Sequence, residues 1–306
     1  MAKTNTGSMS GKKVKLDISD KIIRTIGYIV AAIYALACVF PFLLILGTSF
    51  TSEAVIRVEG VQLIPKDFTT QAYEMILEGG TLGGSYVVTI VMTVCGTFVG
   101  LGIISMTGYA LQRRDFPFRN VISFYIYFTS LFQAGLAPYY LTMTQTYHLM
   151  DNYLAVFLPL LMTPWLIILM KNFVKAIPHE ITESGKIDGA GDMRIFVSLI
   201  LPMLKPALAT IGLFLALGYW NEWYQSSLFL GSQVKYKPLQ YNLYEIVNRV
   251  QSLRNSVAGA YVTLTDIPSE TLKMATAMVS CGPIIFLYPF VQKYFIGGIT
   301  VGAVKG

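Results

Sequence analysis

The stretch "ESGKIDGAGDMRIFVSLILP", Glu183 to Pro202, has a polar, charged, glycine-bearing front half and an apolar rear half closed by a proline. It lies between two stretches apolar enough to cross a bilayer, about Tyr153 to Met170 and Ala207 to Leu230. The chain from Lys171 to Lys205 must therefore sit outside the hydrocarbon and carry its own structure. Pro178 suits a helix first turn, and Glu180 and Glu183 place acids near that helix's positive end. Gly189 can adopt the left-handed backbone that stops a helix. Asp192 is placed to cap a second helix through Met193, Arg194, Ile195 and Phe196. Pro202 and Pro206 mark where that helix should kink or break. The prediction is a helix–turn–helix hairpin, residues 176–203, lying on one face of a membrane. Physics alone leaves open whether it only tethers two spans or grips a partner.

Outward from that segment, composition sets the class. Of 306 residues, 54% are hydrophobic and 13% charged, where soluble domains carry roughly 25% charged residues. So apolar a chain cannot cover its own surface in water, and a multispanning, all-α membrane protein is expected. The net charge of +6 lies in short loops and at the N-terminus, not on one face, which argues against nucleic acid as a partner and for topology signals. Cys38, Cys95 and Cys281 each fall inside an apolar stretch, as buried free thiols do. With His148 and His179 the only histidines, no cluster has metal-ligand spacing. The first apolar stretch is span-length, not the short core of a cleavable signal.

Six stretches are long enough for transmembrane helices, each needing roughly 20 apolar residues. They run from about Thr25 to Gly47, Tyr86 to Leu111, Val121 to Met143, Tyr153 to Met170, Ala207 to Leu230 and Met274 to Phe295. Six spans divide the chain into a basic leader (1–24), a transmembrane domain (25–297) and a C-terminal tail (298–306). The Lys and Arg residues of the leader, of the loop holding Arg113, Arg114 and Arg119, of the hairpin and of the tail then fall on one side. This predicts cytoplasmic termini in a plasma membrane. The loop from Thr48 to Gly84 is acidic and external. The loop 231–273 dissents: it carries Lys235, Lys237, Arg249, Arg254 and Lys273 yet the count places it outside. Gly96 and Gly100 form a GxxxG that suits a close helix seam.

The hairpin also carries a family pattern. Glu183, Gly189 six residues on, then Leu199, Leu201 and Pro202 resemble the "EAA" loop of ATP-binding-cassette importer permeases, and Asp188, Gly189 and Ala190 match the Asp-Gly-Ala usual in sugar importers. Ser184-Gly185 replaces the family's Ala-Ala, which predicts looser helix packing there. "GYWNEWYQSSLFL" (218–230) resembles the family's motif late in the fifth span, and "FIGGITVGAVKG" (295–306) its C-terminal tail. The chain as a whole is similar to the permease subunits of maltose-type carbohydrate importers, closest to the MalG-like subunit.

The resemblance implies a non-enzymatic permease that binds no cofactor itself, with ATP and magnesium held by a partner. The chain has no Gly-Lys-Ser/Thr to close a phosphate loop. It also implies a second, homologous permease in a heterodimer, two cytoplasmic ATPase subunits, an extracytoplasmic sugar-binding protein and an oligosaccharide substrate. The hairpin would be the coupling helix, with Glu183, Asp188, Gly189, Ala190, Arg194 and Pro202 at the ATPase. Gly302, Lys305 and Gly306 of the tail would reach the ATPase dimer. Sugars are held by aromatic faces and polar groups, which Trp220, Asn221, Glu222, Trp223 and Tyr224 supply, with Gln133, Tyr139 and Tyr140 as further pathway candidates. An interfacial aromatic belt explains the same Trp and Tyr residues equally well. The loop 231–273, with Tyr236, Tyr241, Tyr244 and Tyr261, occupies the place where maltose-type permeases send a loop into the binding protein's cleft; a plain surface loop remains the alternative. An ion-gradient carrier would show duplicated halves with matched intramembrane charges, and no such repeat is present in the sequence.

Overall fold

The computed structural model describes residues 18–78, 80–255 and 269–285, and within them the chain is helical with no named strand. The long α1 (Ile18–Ser49) leads through two short helices, α2 (Glu53–Glu59) and α3 (Gln71–Glu78), into the 31-residue α4 (Leu82–Gln112). Then come α5 (Arg119–Leu131), α6 (Leu136–Leu141), α7 (Leu154–Leu161) and α8 (Pro164–Lys175). The hairpin holds α9 (Glu180–Ile187), α10 (Asp192–Ile195) and α11 (Leu201–Met203), and α12 (Lys205–Trp220), α13 (Tyr224–Phe229) and α14 (Leu239–Asn255) follow. The described residues end in a further helical segment, α15, at 269–285.

The bundle is built around α4, which packs most extensively on α12 and α8 and also touches α5, α7 and α14. Its glycines explain why. A Cβ on Gly96 would lie 2.3 Å from the Tyr219 ring, and one on Gly108 would lie 2.7 Å from Cγ of Met170. A Cβ on Gly100 would stand 3.1 Å from Cδ1 of Leu215. In lipid, no hydrophobic force draws helices together, so such small-residue seams supply the van der Waals contact that does. The GxxxG of the second span is thus an internal seam against α12. Fully buried Tyr219 lies in it and donates its hydroxyl to the carbonyl of Phe157 at 2.8 Å.

Among the described residues three helices are long and apolar enough to cross a membrane on their own, 21–49, 82–112 and the α7–α8 unit 154–175, and the predicted sixth span, 274–295, lies outside them beyond residue 285. Two further pairs reach that length only as bent units. The predicted third span is broken, with α5 meeting the 136–146 segment at 114°. Phe132 to Gly135 is non-helical, because Gly135 takes φ +90 and Pro138 starts the next turn without an N–H. The predicted fifth span, 207–230, also ends early: α12 stops at Trp220, and 221–223 separate it from α13. The segment 192–203 joins α12 at 83°, turning at Leu204 between Pro202 and Pro206 as the prolines predict.

The two ends of α4 sort the loops. At its N-terminal end, Gly84 lies under the Tyr236 ring and Thr89 Oγ1 accepts the N–H of Leu239 at 2.8 Å. Also at that end, Tyr86 donates to the carbonyl of Val279. At its C-terminal end, Arg113 meets the hairpin. The described part of the dissenting basic loop, residues 231–255, therefore packs at the opposite end of α4 from the basic hairpin.

Candidate functional site

The hairpin forms much as its residues dictate. Helix α9 starts after Pro178, holds Glu180 and Glu183 in its first turn, and stops at Asp188. Gly189 follows at φ +74, the left-handed stop, and a Cβ there would meet nothing, so only backbone conformation requires the glycine. Two expectations fail. Asp192 is the first residue of α10, not its cap: Gly191 is the N-cap, and the Asp192 carboxylate turns away to Arg113 Nη1 at 2.8 Å. Nor is the packing loose at Ser184-Gly185. Gly185 is buried, and a Cβ there would stand 3.0 Å from Cδ1 of Leu199 and 3.1 Å from Cγ1 of Ile195. The missing methyl lets the two arms of the hairpin close on each other.

An ionic clamp that the sequence did not reveal fixes this hairpin to the end of α4. Arg113 Nη2 lies 2.5 Å from Asp115 Oδ2, and Lys186 Nζ reaches the same oxygen at 2.8 Å. Hydrogen bonds from Arg113 and then Lys186 hold the Asp115 carboxyl well below the usual carboxylate range. The same contacts push the Arg113 guanidinium up, Asp115 contributing more than Asp192. The signal was the Arg-x-Asp spacing at 113–115, but nothing in the sequence says that Lys186 folds onto it.

The outer face of the hairpin has no partner among the described residues. Ile187 is 86% exposed and Met193 59%, beside exposed Glu183, Asp188 and Arg194. Glu183 meets His179 Nε2 at 3.5 Å across one helical turn, while Ala190 packs toward the inner side and Pro202 is exposed.

At the break after α12, Asn221, Glu222, Trp223, Tyr224 and Gln225 line a shallow recess of about 370 Å³, closed on the far side by Pro159, Leu160, Thr163 and Gly218. Glu222 is buried, and its carboxylate accepts from Gln225 N at 2.5 Å, Ser226 N at 3.2 Å and Ser226 Oγ at 2.6 Å. It caps the first turn of α13, satisfying donors that no helix residue can reach. Asn221 donates to the carbonyl of Leu217 and accepts from Gln240. Trp223 is half-exposed and packs in a tilted pair with Tyr244, ring centroids 4.9 Å apart. Tyr139 donates to Gln225 at 2.9 Å, and Tyr140 stacks on Phe229. Trp220 does not join them. It precedes the break by one residue and faces the core, buried among Leu239, Leu243 and Leu272, with its indole N–H donated to the carbonyl of Ser280 at 3.2 Å. Gln133 lies exposed in the break of the third span. Gly302, Lys305, Gly306 and Tyr261 lie outside the described residues.

Glu53 is the second buried carboxylate, and unlike Glu222 it was not singled out in the sequence. It accepts from Ser269 Oγ and from the N–H groups of Glu270 and Thr271 at 3.0 and 3.1 Å, so it caps the start of α15 and ties the loop after α1 to it. Among the described residues no group of His, Cys, Asp and Glu could hold a metal.

Comparison with known proteins agrees with this layout. Residues 98–300 match the model of the family described as binding-protein-dependent transport system inner membrane component. The polygalacturonan/rhamnogalacturonan transport system permease protein YtcP of Bacillus subtilis (strain 168) is 36% identical over 273 residues, covering 89% of this chain and 94% of that protein. The trehalose/maltose transport system permease protein MalG of Thermococcus litoralis is 25% identical, covering 94% of this chain and 99% of that one. A solved chain of a bacterial ABC transporter involved in import of the acidic polysaccharide alginate superposes with a TM-score of 0.75. It is 32% identical, over 91% of this chain and 98% of that chain. The chain belongs to the binding-protein-dependent transport system inner membrane components: it is the multi-pass permease of an ATP-binding-cassette importer, working with a separate ATPase and a solute-binding protein, and neither an enzyme nor an ion-gradient carrier.

Proposed function

We propose that this permease pairs with a second, homologous permease, keeps both termini in the cytoplasm, and seats its hairpin in two-ATPase machinery to admit an oligosaccharide rich in acidic sugars. The observation that carries the coupling role is the uncovered outer face of the hairpin. Ile187 and Met193 stand out of a polar segment beyond the bundle, and apolar side chains rimmed by charge mark a protein contact. Gly185, Ile195 and Leu199 lock the inner face, so a push on the outer face moves the hairpin as one body and reaches α12 through the turn at Leu204.

For the substrate, the recess at 221–225 offers an amide, a carboxylate and aromatic faces at the depth where the fifth span breaks. Two of the similar proteins are named for acidic polysaccharides, of galacturonate and of alginate. The loop 231–273, which dissented from the charge rule, carries five basic residues against the acids Glu245, Asp266 and Glu270. A surplus of positive charge at the entry end suits the steering of an acidic ligand. The test is ATP-dependent uptake by the complete transporter in proteoliposomes, with galacturonate oligosaccharides set against maltotriose. Uptake of the acidic series alone is expected. Preference for the neutral sugar would overturn the acidic class, and uptake that proceeds without ATPase would overturn the coupling.

A further inference from the structure

A cavity of about 1110 Å³ lies under the hairpin, between the start of α5 and the end of α8. Its wall carries Arg113, Arg114, Arg119, Lys171, Lys175 and Lys186 against two carboxylates, Asp115 and Glu180. Asp115 is spent on Arg113 and Lys186. Arg119, Lys171 and Lys175 have no carboxylate within 4.0 Å among the described residues, and two of them are held in place. Lys171 Nζ donates to Ser123 Oγ at 2.8 Å, Ser123 Oγ donates to the carbonyl of Arg119 at 2.5 Å, and Arg119 Nη1 donates to the carbonyl of Arg113 at 3.2 Å. Tyr109, on the same wall, is nine-tenths buried, and its hydroxyl has no hydrogen-bond partner among the described residues.

Fixed, half-buried cations without counter-charges are costly unless an anion joins them. The position says which anion. Ile126 and Tyr127 of α5 line the cavity, and α5 continues from it with no buried residue, exposing Val121, Phe124, Tyr125 and Phe128. A soluble anion has no use for that apolar face, whereas an acyl chain does. We infer that the cavity binds the phosphate headgroup of an anionic phospholipid, with its acyl chains along α5. Basic pockets between spans on the cytoplasmic side bind anionic headgroups in this way. The inference rests on the proposed orientation, with the hairpin cytoplasmic, but not on the substrate.

The test uses the purified full chain in neutral detergent and compares thermal stabilisation by phosphatidylglycerol, phosphatidylcholine, inorganic phosphate and a galacturonate oligosaccharide. Phosphatidylglycerol alone should stabilise. Arg119→Gln with Lys171→Gln removes two cations and should weaken the apparent affinity about thirtyfold, at roughly 1 kcal/mol per basic group near the headgroup. The charge-keeping pair Arg119→Lys with Lys171→Arg should retain binding to within about threefold, showing that loss in the neutral pair is not misfolding. Equal stabilisation by phosphatidylcholine, or equal loss in both pairs, overturns the site. Stabilisation by free phosphate or by the saccharide to the same extent reassigns the cavity to a soluble anion and overturns the lipid. Uptake of a neutral sugar would sink the substrate reading while leaving this outcome untouched.

Discussion

At the scale of single residues, the two carboxylates in the interior act first as caps. Glu222 serves three donors of α13, so Glu222→Ala strands them in a buried setting, at about 1–3 kcal/mol. Glu222→Gln keeps an acceptor oxygen and should lose less. Thermal unfolding in detergent should therefore rank wild type, Gln and Ala in that order; equal midpoints for Ala and wild type would remove the capping role. Gly185 and Gly189 separate two reasons for a glycine. Gly189→Ala meets open space and strains only the left-handed backbone, about 1–2 kcal/mol, while Gly185→Leu must displace Ile195 and Leu199 and should cost more. The helix stop at Gly189 was legible because it leaves a mark in residue type and spacing. The motif reading mistook Gly185, since a sequence shows that a side chain is small but not what presses against it. It also placed Trp220 with its neighbours, because the break that turns Trp223 outward falls after Trp220 and leaves no signal in a uniformly apolar and aromatic run.

At the scale of elements, the hairpin is clamped to the end of α4. The Arg113–Asp115–Lys186–Asp192 clamp is half-exposed, so each pair contributes less than about 1 kcal/mol, yet together they fix where the hairpin's base sits. Asp115→Asn should raise hydrogen exchange across 180–203 severalfold without unfolding the bundle. The carboxyl of Asp115 is depressed in the folded state. Its contribution is therefore complete above the free carboxylate value of roughly 4 and is lost as pH falls through the lower folded value. Protection of the hairpin, corrected for intrinsic exchange, should be equal at pH 8 and pH 6; a decline over that interval would mean another group holds it. Helix, turn and proline kink were legible because they follow from local chemistry. The break of the third span was not read, although Gly135 and Pro138 announce it, because a hydropathy window averages over four residues that lose their helix.

At the scale of the molecule, α1 shows no buried residue from Lys21 to Leu46, and α5 shows none at all. The described residues cover neither, which suits a subunit whose first span lies against lipid or a partner permease. A multispanning bundle and the sorting of its described loops to the two ends of α4 were legible from charge and hydropathy. Which surfaces a partner covers was not, since a lipid-facing and a partner-facing apolar helix are written in the same residues. The account's central claim is that the hairpin touches the ATPase. The most direct measurement places a cysteine at Glu183, with Cys38, Cys95 and Cys281 replaced by serine, and pairs it with single cysteines in the ATPase of the assembled transporter under oxidation. A crosslinked permease–ATPase band whose yield changes with ATP is the expected result. An assembled, actively transporting complex that gives no such band at any ATPase position, while Glu183→Cys reacts with an impermeant maleimide from outside the cell, would contradict it.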